Sequence, residues 1–165
     1  MRYLLLLLVA VAWALWFGAT LATFVFGLNL FHTHPAIAGE ANSAMFLIFG
    51  KYEMILAAIA LLASGVLMLA YPSKPAIVLF ACFILVGGMA MTSGLGFTPR
   101  MEMLRAQGQS HSHEFRRLHE KSMIAMTAQA GMLLLSGAIL LLAVPRDKPT
   151  PSTDPLTAGQ SAGTP

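Results

Sequence analysis

The opening stretch "MRYLLLLLVAVAWALWFGATLATFVFGLNLF", residues 1–31, carries no charged side chain from Leu4 onward. A helix of that length rises ~40 Å, more than the ~30 Å hydrocarbon core of a bilayer. A barrel strand would alternate apolar and polar residues over ~10 positions, and this stretch does not alternate, so it is read as a spanning helix. One basic residue precedes it and Ala10-Val11-Ala12 imitates a signal-peptide cleavage site. The apolar run nevertheless continues to Phe31, too long for a signal h-region and suited to a retained, tilted helix.

Three further apolar runs follow, at about 53–71, 76–97 and 122–144. Of the 165 residues, 57% are hydrophobic and only 10% charged, against about a quarter charged in soluble domains. A water-soluble fold is therefore excluded, and the expected fold is all-α: a polytopic four-transmembrane-helix bundle over residues 1–145, spans about 4–31, 53–71, 76–97 and 122–144. The end, "RDKPTPSTDPLTAGQSAGTP" at 146–165, holds prolines and small residues with too little apolar surface to order itself, and is expected to be a disordered tail. The net charge of +3 does not point to nucleic acid, because five of the ten Lys and Arg fall in the connection around 98–121. That clustering is the positive-inside pattern, and it places this end of the bundle in the cytoplasm. The expected partner is the lipid bilayer, with a homo-oligomer or membrane partner as a further possibility, and the expected location is the cytoplasmic (inner) membrane of a bacterium.

The connections are read from their breakers. "HTHPAIAGEANSA" at 32–44 holds Pro35, Gly39 and Asn42 and reads as a polar loop, while "YPSKP" at 71–75 is a tight turn that makes the second and third helices antiparallel neighbours. After Pro99, "RMEMLRAQGQSHS" reads as a short amphipathic extension ending at Gly108, with Ser110 or Ser112 placed to cap the last helix. Close helix contact in lipid depends on small residues, and the candidate stripes are Ala19, Thr23 and Gly27; Ala57, Ala60 and Ser64 beside Glu53; Gly88, Thr92 and Gly96; and Thr127 with Gly131.

With four spans, the first and third connections lie at one end of the bundle. That parity gathers the notable polar residues, and the candidate site there comprises Asn29, Glu53, Arg100, His119 and Ser122. Glu53 stands out because a carboxyl within a span is costly and faces the interior or a partner; a proton or cation site and a simple interfacial hydrogen bond are both open. Phe115, His119, Ser122 and Met126 recur on one helical face, so His119 is expected to point inward and bond Glu53 or the Pro99-Arg100 turn. His32 and His34, an H-x-H pair, are candidate metal ligands, although no CxxC, HExxH or closed set of four ligands accompanies them. Gln129 within a span reads as an interhelical hydrogen bond. Cys82 reads as a small buried hydrophobe. No nucleophile motif, phosphate loop or dinucleotide fingerprint is present, so the chain is not read as an enzyme and no cofactor is implied.

Several of these residues also form a pattern. "TFVFGLNLFHTHP" at 23–35, then Gly39, Ser43 and Phe46, Pro99-Arg100, and Phe115, His119 and Ser122 resemble the transmembrane protein 205 family, small four-helix membrane proteins filed as domain of unknown function 4149. The resemblance covers about residues 10–140. It implies a membrane protein without an established molecular activity; association of the eukaryotic member with platinum-drug resistance implies metal or xenobiotic handling as one possibility, beside a non-catalytic interaction protein. The chain departs from the pattern at Leu47, Phe49, Ser93 and Met126, where the family often has Pro, Tyr, Asn and Asn.

Overall fold

The computed structural model describes residues 1–144. Its helices are α1 (Arg2–Thr33), α2 (Pro35–Ala70), α3 (Lys74–Met91), a π-helical segment (Thr92–Phe97), α4 (Thr98–Ala106) and α5 (His113–Ala143). α3, the π segment and α4 run on as one continuous helix from Lys74 to Ala106, so four helices are long and apolar enough to cross a membrane. The tail reading, 146–165, lies outside the described residues.

The helices form an antiparallel ring in which α1 and α3 each pack on α2 and α5. Outward positions are apolar: Leu4, Leu7, Leu62, Leu69, Leu141 and Leu142 are all exposed. A soluble protein would bury such a surface, whereas a bilayer solvates it. The interior joins Leu6, Val9, Trp16, Leu56, Leu79, Phe83, Val86 and Leu133 in one cluster. Thr20, Glu53, Ser64, Gln129 and Ser136 are buried alongside them. Thr20, Thr23, Ser64 and Ser136 return their hydroxyls to carbonyls of their own helices, which satisfies them without a cross-helix partner.

The first connection corrects the sequence reading. Residues 32–50 are helical, broken only at His34, whose N–H still donates to the Leu30 carbonyl. Pro35 opens α2 at its first turn, where the missing N–H costs nothing because no intrahelical acceptor would have received it. Pro35 is thus a helix start. Gly39 and Asn42 are carried inside the helix because this part of α2 packs on α1: Ala38 is fully buried, and a Cβ on Gly27 would stand 3.2 Å from Asn42 Oδ1.

The third connection agrees closely with the expectation. Gly108 turns the chain with φ 72°, a left-handed conformation that glycine adopts without steric cost. Ser112 caps α5 by accepting from Phe115 N at 3.1 Å. Pro99 does not end the third helix. Six residues of π-helix precede it, and Thr98 Oγ1 donates to the Ser93 carbonyl at 3.0 Å, so the irregular backbone is partly satisfied by a side chain.

Small residues set the packing, but not all on the expected stripes. Thr23 and Gly27 are buried, as are Ala57, Ala60 and Ser64 with Glu53. On the third helix Gly88, Thr92 and Gly96 are exposed, and the contact face is Val86, Gly87 and Ala90. On α5 Thr127 and Gly131 are exposed, and Gly137 makes the close approach: a Cβ there would fall within the Trp13 ring. Trp13 Nε1 also donates to the Leu133 carbonyl at 2.7 Å, fixing α1 against α5. At the end away from the polar connections, Arg2 Nη2 donates to the Ala143 carbonyl at 3.4 Å and its guanidinium lies 5.8 Å from the Tyr71 ring centroid. That places a positive charge at the carboxyl end of α5, where it favours the helix dipole.

Candidate functional site

The polar end holds two connected spaces. The deeper is a chamber of about 30 Å³ between α2, the π segment, α4 and α5, with Glu53, Ser93, Thr98, Ser122 and Gln129 in its wall. Above it a groove of about 490 Å³ opens at the polar end. Phe46, Thr98 and Ser122 line both and form the neck between them.

Glu53 is 4% exposed and is held by two helices besides its own. Trp16 Nε1 of α1 donates to Glu53 Oε1 at 2.9 Å, and Gln129 Nε2 of α5 donates to the same oxygen. Both donors are neutral groups, buried at 0% and 2% exposure, so the carboxyl group knits three helices without a counter-charge. Such a buried network specifies relative helix position, because moving any one helix would leave an N–H unpaired in a medium with no water to replace the partner.

The groove is amphipathic. Phe31, Phe46, Met101, Phe115 and Met123 give it apolar walls, and Glu40, Glu102, Arg105, His111 and His119 its polar ones. Ser43 Oγ donates to Glu102 Oε1, and Arg105 Nη1 donates to that same oxygen at 2.5 Å. The Arg105 guanidinium also lies 5.6 Å from the Phe115 ring centroid. α2, α4 and α5 are thereby tied together across the groove floor.

The expected site residues separate into three places. Glu53 and Ser122 share the chamber wall, while His119 lines only the groove above it. His119 does share the inner face with Phe115 and Ser122, as its spacing predicts, but its partner is the Phe115 ring, stacked at 6.4 Å and 6°. The expected bond to Glu53 is absent, because Glu53 lies a chamber deeper and its accepting oxygen is already engaged by Trp16 and Gln129. Arg100 also turns away: it donates from Nε and Nη2 to Glu114 Oε1 at 3.0 and 2.7 Å, on the outside of the bundle. Asn29, His32 and His34 are exposed, and Asn29 serves through its carbonyl, which accepts from Thr33 Oγ1. Among the described residues no group of three or more His, Cys, Asp or Glu converges, so nothing joins His32 and His34 as a third ligand.

Sequence reasoning passed over Trp16, Trp13, Ser43 and Glu102. A mid-span tryptophan was the available signal for the first two, since the indole N–H of a buried Trp requires an acceptor and Trp is otherwise favoured at membrane interfaces. Gln129 does make an interhelical bond, to the intramembrane carboxyl. Ser93 and Met126, two positions where the chain departs from the resembled pattern, both line the chamber.

These features define an integral membrane protein of four antiparallel helices with an intramembrane carboxyl beneath a polar-end groove. The sequence pattern described as a domain of unknown function (DUF4149) matches residues 11–110, well over half of the chain, and the protein belongs to that family. No curated protein and no solved structure matches it.

Proposed function

We propose that this is a non-catalytic membrane protein that receives a small amphiphilic molecule in its polar-end groove. The observation that carries the reading is the groove itself: about 490 Å³ falls within the ~300–1,000 Å³ of small-molecule sites, and aromatic and methionine walls meet a few polar groups, as such sites require. The methionines suit it further, since their unbranched side chains adapt to varied shapes. The resemblance to the transmembrane protein 205 family favours xenobiotic handling as the setting. An organic ligand fits the lining better than a bare metal ion, whose candidate ligands His32 and His34 stand outside the groove wall. Helical spans support a bacterial cytoplasmic membrane over an outer membrane, whose spanning proteins are closed barrels. The positive-inside bias turns the groove toward the cytoplasm.

The test is ligand-dependent thermal stabilisation of the purified full chain against a panel of lipophilic cations, anions and neutral compounds. At least one class should bind saturably, and Phe46→Ala should weaken that binding about tenfold, the loss of ~1.4 kcal/mol of wall contact. No saturable binder in any class, or unchanged affinity in Phe46→Ala, overturns the assignment.

A further inference from the structure

Beneath the groove, the Glu53 chamber has features that ligand binding does not use. Its volume of about 30 Å³ has room for about one or two water molecules. Its wall carries hydroxyls from three directions, Ser93 from the π segment, Thr98 from α4 and Ser122 from α5. Ser93 Oγ is buried and has no partner within the chain, so a hydrogen-bonding position in this wall remains to be met by something small and polar. The π-helical backbone passes at this level and widens the helix locally where the chamber lies.

The chamber has one polar exit. Toward the polar end it meets the groove at the neck of Phe46, Thr98 and Ser122. Toward the opposite end the bundle is filled by Leu56, Ala60, Phe83, Val86 and Leu133, each 4% exposed or less.

We infer that the chamber is a proton-binding site, in which the Glu53 carboxyl exchanges its proton with the aqueous phase through the neck and from the polar end alone. Water passing the neck delivers the proton, and the Thr98, Ser122 and Ser93 hydroxyls, each both donor and acceptor, relay it to the carboxyl. The groups facing Glu53 are Trp16 from α1, Phe46, Phe49 and Gly50 from α2, Ser93 and Gly94 from the π segment, Thr98 from α4, and Ser122, Met126 and Gln129 from α5. None of them titrates or is charged. The titratable and charged groups on the route are those of the groove above, Glu40, Glu102, Arg105, His111 and His119. The inference does not depend on the groove taking a ligand.

The experiment uses the full chain in lipid nanodiscs. Infrared difference spectra between about pH 4 and pH 10 should contain a carboxyl C=O band that titrates in the native chain and is missing in Glu53→Gln. After a pH jump, tryptophan fluorescence should relax to a new level, because Trp16 donates directly to the titrating carboxyl. Ser122→Leu, which fills the neck, should slow that relaxation about tenfold. If that variant does not fold, Thr98→Val, which removes a neck hydroxyl at nearly constant volume, should slow it in the same direction. Identical spectra in the native chain and Glu53→Gln would show that Glu53 takes up no proton. Relaxation at the native rate in the neck variant would show that protons do not pass this way. Either result overturns the inference.

Discussion

Glu53 and Glu114 are both carboxylates that accept two hydrogen bonds on one oxygen. Glu53 Oε1 receives the Trp16 indole and the Gln129 amide; Glu114 Oε1 receives Nε and Nη2 of Arg100. By bond count and charge the second pair is the stronger, since a guanidinium facing a carboxylate is a charge-assisted fork. Their surroundings reverse that order. Glu53 is 4% exposed, whereas the Arg100 and Glu114 side chains are 60% and 51% exposed. Water and salt replace much of what the surface pair gains on forming. Nothing in the bundle interior can replace the Glu53 partners, so each unpaired group there bears its full desolvation cost. The energetic rank of a polar contact in this protein is set by what would take its place.

The largest test removes the frame around the buried cluster. Gly137→Leu should prevent Trp13 from lying against α5, separate α1 from α5 and so part Trp16 from Gln129, with a loss of about 3 kcal/mol or more that reads as failure to purify as a single species. Normal yield and melting temperature would mean that α5 sits elsewhere. Next in size, Glu53→Ala should cost about 1–3 kcal/mol in detergent unfolding, since it strands two buried donors at once. A neutral result would place water, not protein, on those donors.

Smaller still is the coupling between Glu53 and His119. The double-mutant cycle of Glu53→Gln with His119→Ala should be additive within about 0.5 kcal/mol, because the two side chains share no partner. A larger coupling would bring His119 into the chamber and narrow the contrast drawn above. Smallest of all, Arg100→Ala or Glu114→Ala should shift stability by less than about 1 kcal/mol, and the shift should vanish in molar salt. A salt-insensitive loss as large as that of Glu53→Ala would erase the distinction between the two carboxylates.

The sequence by itself determined the elements that depend on solvent. Unbroken apolar runs set four spanning helices, because a bilayer leaves backbone groups no alternative to internal hydrogen bonds. Parity of the spans then put Glu53, Ser122 and His119 at one end, and Gly108 with Ser112 marked the turn into α5 because left-handed backbone and an N-cap each demand particular residue types. Tertiary structure alone decided three further points. Pro35 starts a helix instead of lying in a loop because α1 offers a packing surface to residues beyond it, and a proline is compatible with either outcome. The stripes Gly88–Thr92–Gly96 and Thr127–Gly131 face outward because a small residue permits close approach without requiring it; the inward turn belongs to Gly87 and Gly137, beside Leu61 and Trp13. Glu53 pairs with Trp16 and Gln129, 37 and 76 residues away along the chain, and not with His119. Helical periodicity fixes which way a side chain points on its own helix, whereas the depth at which two helices meet is set by how their side chains interlock across the bundle.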